Sequence, residues 1–433
     1  MDGDHLQYHP EHCVLGTLVS GEGVPLTHND RRRHLYLIGK SGTGKSTLLF
    51  NLMMGDLALG RGFALLDPHG DLAHDVADAV PSPRTNDVIY FDPADLSHPV
   101  AFNPLERVPP DHRPLVAAHI AAAFKHLWGD SWGPRLEYIL GNALRLLLDA
   151  PGTTLLGLPR LLVDDNYRSR LVATCSDPVI RAFWTREFSE YNERFAMEAV
   201  SPIQNKIGAL LSPPALRNII GQKRSTIDIP GIMNSGRVLI VNLSKGRLGE
   251  GPAHLLGAFL ATAFAQAAEG RADIRETDRR DFTLYADEFQ NFATDSFASI
   301  LSEARKWRLN LVLAHQFLGQ LPPLLRQAVI GNAGTLVAFR LGAEDAPLIA
   351  DELGHHNHDA LVDTPNFAAW IKLMYNDSPT DARYMKTLPP PSTTSGRLPA
   401  IQARTRARHA RPREHVEQQI AKFLSGSSVD PLA

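Results

Sequence analysis

The chain holds only two cysteines in 433 residues, Cys13 and Cys175, far apart in sequence. Neither belongs to a Cys-x-x-Cys pair or a Cys/His cluster, which excludes a disulfide framework and a zinc site and suits a reducing cytoplasm. An excess of charge of one sign is also missing. The formal net charge is −3, so bulk positive charge cannot hold nucleic acid, and any such contact needs a local patch. The start, Met1-Asp2-Gly3-Asp4-His5, lacks the basic-then-apolar pattern of a secretory signal. The best membrane candidate, Leu255 to Phe264 between His254 and Gln266, falls well short of the roughly twenty apolar residues a span needs. It reads as a core helix, so no intrinsic membrane span is expected. No internal repeat is evident.

What is present describes a globular chain, with 44% hydrophobic and 21% charged residues and room for two or three domains of roughly 150 residues each. Gly39-Lys40-Ser41-Gly42-Thr43-Gly44-Lys45-Ser46 fits the phosphate-cradling pattern G-x-x-x-x-G-K-[ST] without substitution. Its glycines let backbone N–H groups face phosphate oxygens. Lys45 can place its ammonium on the β- and γ-phosphates, and Ser46 can offer a hydroxyl to Mg²⁺. The flanks agree: His34 to Ile38 reads as a buried strand, and Ser46 to Met54 as a helix whose N-terminus, including Thr47, adds its dipole to the site. Gly60 can end that helix, and Phe63 to Asp67 is the next strand, which completes a βαβ unit.

Residues 13–29 read as two short strands joined by Gly21-Glu22-Gly23. From His34 to Asp92 strand and helix alternate, with Val88 to Asp92 as a third strand, which argues for a mostly parallel sheet covered on both faces. Between 106 and 230 the strand signal vanishes. Leu136, Ile139, Leu140, Ala143, Leu144 and Leu147 recur at helical spacing, so this block is read as an all-helical insertion. Strand character returns at Val238 to Leu243, Phe282 to Ala286, Leu309 to Ala314 and Thr335 to Phe339. After 378, Pro389 to Ser395 reads as linker. The arginines at 397, 404, 406, 408, 411 and 413 form a basic run before an amphipathic helix at 413–424. The expected organisation is a β segment at 1–32, a phosphate-loop domain in two halves at 33–105 and 231–378, the helical insertion at 106–230, and a tail at 379–433.

Hydrolysis needs a carboxylate on the metal side and a group that positions water. The apolar strand Phe282 to Ala286 ends in Asp287-Glu288, where a Walker B motif places its acids; Asp287 is assigned to Mg²⁺ and Glu288 to the attacking water. The strand ending Ala314-His315 leaves Gln316 at the carboxyl edge of the same sheet, where its amide can sense the γ-phosphate, orient water or simply meet solvent. Asp67 can touch the nucleotide site or cap the helix after it. His69 has no second ligand at metal spacing. Trp128 and Trp132 suit packing better than base stacking. Arg305, Lys306 and Arg308 are by default a solvated helical face.

Taken together, these residues resemble the hexameric DNA-pumping ATPases that include FtsK and HerA, and most closely the TraD and TraG type of coupling ATPases of conjugative type IV secretion. The matching positions are the phosphate loop, Asp67-Pro68-His69-Gly70, Phe91-Asp92-Pro93, Ser131 to Glu137, Val241 to Gly246, Asp287-Glu288, Glu303 to Lys306, Ala314-His315-Gln316 and Asn332 to Thr335. The resemblance covers about residues 13 to 380. The resemblance implies a RecA-like α/β fold with a helical insertion, ATP and Mg²⁺ as ligands, a homo-hexameric ring and DNA as cargo. It also implies an arginine finger shortly after the Walker B acids, which makes Arg305 the leading candidate and Arg308 the second. Partners would be a secretion channel, a relaxosome or other mobile-element proteins. Such coupling proteins usually begin with membrane-spanning helices. A cytoplasmic protein is expected here, docked peripherally at the inner membrane through a partner. A protein-transporting secretion ATPase and a nucleotide-gated interaction protein are the rival readings. A GTPase is not favoured, because Asn205-Lys206-Ile207-Gly208 lacks the guanine-reading aspartate.

Overall fold

The computed structural model describes residues 12–191, 193–294, 297–355, 357–375, 378–391 and 395–426. They form two compact units. One comprises residues up to Phe91, Ile229–Ser244 and Phe264–Arg404; the other comprises Asp92–Asp228, Lys245–Ala263 and residues from Thr405 onward.

The first unit is built on an eleven-stranded sheet. In chain order its strands are β1 (His12–Leu18), β2 (Gly23–Thr27), β3 (Leu35–Ile38), β4 (Gly62–Asp67), β5 (Val88–Phe91), β6 (Val238–Asn242), β7 (Phe282–Ala286), β8 (Leu309–His315), β9 (Thr335–Ala338), β10 (Ala368–Lys372) and, past a two-residue pairing of β11 (Met374–Tyr375) with β12 (Ser378–Pro379), β13 (Arg383–Thr387). Their spatial order is β2-β1-β13-β10-β9-β3-β8-β7-β4-β6-β5. The run from β9 to β5 is parallel. Every residue of β3, β4, β6, β7 and β8 is buried, which is why these strands are continuous apolar runs and not alternating ones. β10, β13, β1 and β2 are antiparallel.

The strand β13 lies beyond the limit of 378 expected for this sheet. Its sequence, Arg-Tyr-Met-Lys-Thr, buries only Met385, so it carries too little apolar signal to read as a strand, and pairing with β1 and β10 places it there. The expected tail also changes. Leu398–His409 is a helix, not part of a linker and basic run, because Leu398 and Ile401 join the first unit's core and arginine is a good helix former.

Helix α1 (Lys45–Ala58) follows the glycine loop, and Gly60, at φ 69°, lies just past its end. Leu48, Leu49, Leu52 and Met53 are buried in the same core as Leu35 and Leu37. Each such side chain contributes about 1.5–3 kcal/mol, so the helix start is fixed relative to β3. A second clamp lies deeper. Arg31 donates to both carboxylate oxygens of Asp56 at 2.8 Å, and the Tyr285 hydroxyl donates to Asp56 at 2.6 Å. Ion and phenol are fully enclosed, tying α1 to β7.

In the second unit the regular elements among the described residues are helices, apart from one isolated bridge between Val100 and Ala410. Pro134–Asp149 begins with Pro134 in its first turn and buries Leu136, Ile139, Leu140, Ala143, Leu144 and Leu147, the expected stripe. Trp128 stacks on Phe124 at 5.1 Å and on Trp132 at 5.9 Å, so both tryptophans are engaged in packing. The helix Arg413–Leu424 buries Val416 and Ile420 beside Leu156. No helix among the described residues is long and apolar enough to cross a membrane.

Candidate nucleotide-binding and hydrolytic site

Parallel pairing sets the site. Ile38 stands beside His315, Ala286 beside Leu313, and Leu66 beside Ala286, so the residues that follow β3, β4, β7 and β8 emerge at one carboxyl edge. The loop leaving β3 is pinned by backbone bonds: Gly39 N–H donates to His315 at 3.3 Å, and Lys40 N–H to Arg340 at 2.9 Å. A side chain at Gly39 would meet the Cβ of Phe339 at 2.6 Å. Gly44 adopts φ 118°, and a Cβ there would meet Phe367 at 3.1 Å. Both positions therefore demand glycine. Within the loop the Thr43 hydroxyl donates to Lys40 carbonyl oxygen at 2.7 Å, while Lys40, Ser41, Gly42 and Ser46 are exposed and Thr47 is half-buried.

Lys45 is 5% exposed. Its ammonium donates to the carbonyls of Gly39 at 2.6 Å and Lys40 at 3.1 Å. Burial pulls its pKa down, opposed by Glu288 and Asp287. The Ser46 hydroxyl lies 3.3 Å from an Asp287 carboxylate oxygen. Burial above all, then the carboxylates of Asp67 and Glu288, push the Asp287 carboxyl up to about 7. Two or three clustered carboxylates facing one ammonium leave an excess of negative charge in a buried place. Among the described residues no group of three or more His, Cys, Asp or Glu side chains could hold a metal ion unaided. The hard-oxygen pair of Ser46 and Asp287 suits Mg²⁺ that takes its remaining ligands from water and phosphate.

Glu288 is 6% exposed and sits at φ 45°, ψ 51°, a left-handed conformation uncommon outside glycine. Two amides hold its carboxylate: Gln316 Nε2 donates at 3.1 Å and Gln290 Nε2 at 2.8 Å. Gln316 is thus joined to the acid assigned to water and is not simply solvated. Gln290 had no signal in the sequence, since a glutamine two residues after an acid is commonplace. Asp67 accepts from the backbone N–H groups of His69 at 2.9 Å and Ala73 at 2.8 Å, which is a capping role for helix α2 (Asp71–Asp78). It also lines, with Ser46, Thr47, Phe50, Asp287 and Pro390, a cavity of about 760 Å³. The capping reading of Asp67 is what these bonds show, and its place in that cavity leaves the nucleotide-site reading a proposal.

Arg305 is not brought to this edge. It lies in the short 3-10 turn Ala304–Trp307 that leads into the amino end of β8. At ~3.3 Å per residue, β8 alone puts about 20 Å between Arg305 and Gln316. There Arg305 is exposed and makes no ion pair among the described residues. With Arg33, His34, Tyr36, Ser302 and Gly334 it lines a cavity of about 450 Å³. Arg308, the second candidate, lies 3.9 Å from Asp281, which Arg32 also binds at 2.8 Å.

No family model matches the chain, and no curated protein matches its sequence. Solved structures do. The plasmid coupling protein TrwB in complex with ADP and Mg²⁺ is 16% identical, with a TM-score of 0.64 over 89% of this chain and 91% of that one. TrwB with a non-hydrolysable ATP analogue is 15% identical, with a TM-score of 0.64 over 90% and 91%. VirB4 of Thermoanaerobacter pseudethanolicus is 16% identical, with a TM-score of 0.62 over 90% and 98%. The chain shares the fold of these structures, a RecA-like α/β fold on a mostly parallel sheet, as the ordered motifs implied.

Proposed function

We propose that this chain is a Mg²⁺-dependent ATPase that works as a homo-hexameric ring and moves DNA, in the manner of a coupling ATPase of conjugative transfer. The observation that carries this is the meeting of Lys45, Ser46, Asp287, Glu288 and Gln316 at one carboxyl edge. Lys45 and the loop N–H groups from Gly39 to Thr47 bind and orient the triphosphate. Ser46 and Asp287 would hold Mg²⁺, which would supply charge neutralisation to the triphosphate. Glu288, fixed by two amides, accepts a hydrogen bond from the attacking water. Gln316 links that water site to the γ-phosphate.

Arg305 acts in trans. An exposed guanidinium some 20 Å from the carboxyl edge of its own sheet cannot serve its own phosphate, but a neighbour in a ring can receive it. A fixed guanidinium there offsets charge developing in the transition state. DNA as cargo rests on the likeness in fold to a plasmid coupling protein and on the ordered motif set. The protein works in the cytoplasm and docks peripherally at the inner membrane through a secretion-channel or relaxosome partner.

ATP turnover measured with and without single- and double-stranded DNA tests the reading. DNA should stimulate turnover. Normal turnover indifferent to DNA would remove the DNA cargo and favour a protein-transporting ATPase. Tight ATP binding with no turnover under any condition would leave a nucleotide-gated interaction protein.

A further inference from the structure

Phe367 breaks two rules at once. It is a large aromatic residue left 52% exposed, and its backbone sits at φ 62°, a conformation that is an outlier for a bulky side chain. Strained residues persist where their surroundings over-determine them, and they cluster at ligand sites. Here the tethers are explicit. Phe367 N–H donates to the Thr43 carbonyl of the phosphate loop at 2.8 Å, and its own carbonyl accepts from Thr387 N–H at 2.9 Å and from the Thr387 hydroxyl at 3.0 Å. The ring edge lies 3.1 Å from where a Cβ of Gly44 would be. Among the described residues it stacks on no other aromatic ring.

Charge says which way a nucleotide must leave the loop. On the flank toward α2, beyond the Mg²⁺ side at Asp287, the cavity wall continues with Asp71, Asp75 and Asp78, a poor surface for the anionic α-phosphate and the nucleoside it carries. The opposite flank of β3 faces β9 and then β10. Phe367, half exposed, stands immediately before β10. Resting on the nucleotide reading above, we propose that the Phe367 ring is the platform on which the base of the bound nucleoside triphosphate stacks. A ring face contacts the base through its π-surface, so it selects nucleotides over bare polyphosphate.

Binding of two Mg²⁺-loaded probes to the full chain, an ATP analogue with a β,γ-imido bridge and inorganic tripolyphosphate, tests this. Phe367→Ala should weaken the ATP analogue by roughly ten- to hundredfold, the loss typical of a base–aromatic stack. It should leave tripolyphosphate within about twofold, which also certifies an intact loop, since charge-assisted phosphate contacts are not touched. Phe367→Trp should keep the analogue's affinity. The proposal is overturned if Phe367→Ala binds the analogue as well as the parent does, or if both probes weaken equally, because the ring would then only shape the loop. A parent that binds neither probe would instead bring down the phosphate-loop reading itself.

Discussion

At the carboxyl edge of the parallel sheet, Lys45, Ser46, Asp287, Glu288 and Gln316 are bonded to one another or to the loop backbone within one unit. At the amino edge of the same sheet, Arg305 is exposed beside a cavity of about 450 Å³, with no ion pair among the described residues. At the first edge the groups proposed to bind and hydrolyse ATP are held in place by hydrogen bonds. The second presents an exposed cation without an ion pair among the described residues. On the reading proposed above, the difference is that between a fixed pocket on one subunit and a finger offered to the next.

The largest effect should follow from removing the finger. Arg305→Ala should bind ATP as the parent does and turn it over about 10³- to 10⁵-fold more slowly, the range for arginine fingers in phosphoryl transfer; steady-state ATPase rates with a separate binding titration check it. If turnover is unchanged, the two edges are unrelated. Next is Glu288→Gln, which keeps the shape and loses the carboxylate: turnover should fall about 10²- to 10⁴-fold while bound ATP accumulates. Normal turnover would move the water-positioning role elsewhere.

The carboxyl edge was legible because its chemistry is local. The phosphate loop is one unbroken run, and Asp287-Glu288 and Gln316 each end an apolar strand. Even so, Gln316 became informative only when its bond to Glu288 was seen. The clamp of Arg31, Asp56 and Tyr285 was not legible at all. Its members are 25 and 229 residues apart in pairs, Arg31 sits within an unremarkable run of three arginines, and its burial depends on the finished sheet. Strand β13 was missed because pairing, and not its own apolar content, makes it a strand. The stability of the carboxyl edge should depend on the clamp. Arg31→Ala strands the Asp56 carboxylate and should cost about 3–5 kcal/mol in urea unfolding; Arg31→Met with Asp56→Leu should recover most of it. No recovery would mean that the ion pair does more than fasten α1.

The smallest effect concerns protons. The folded Asp287 carboxyl titrates near 7, above the roughly 3.9 of an unfolded aspartate. Between about pH 4 and 7 the fold therefore holds a proton that the unfolded chain does not, and this group's contribution makes stability fall as pH rises through that window. Mg²⁺ requires the carboxylate, so metal binding with nucleotide should release more protons from the parent than from Asp287→Asn at pH 6, and equal numbers at pH 8.5. Calorimetry in two buffers of different ionisation enthalpy counts them. Equal release at pH 6 would contradict the metal role of Asp287.

The division of the centre between subunits is tested most directly by mixing. Arg305→Ala subunits lack the finger and keep the pocket; Lys45→Ala subunits lack the pocket and keep the finger. Each alone should be close to inactive. ATP turnover of verified mixed rings should rise above that of either parent variant, because an intact pocket on one subunit can meet an intact Arg305 on the next. Mixed rings no more active than the two variants separately would contradict the account.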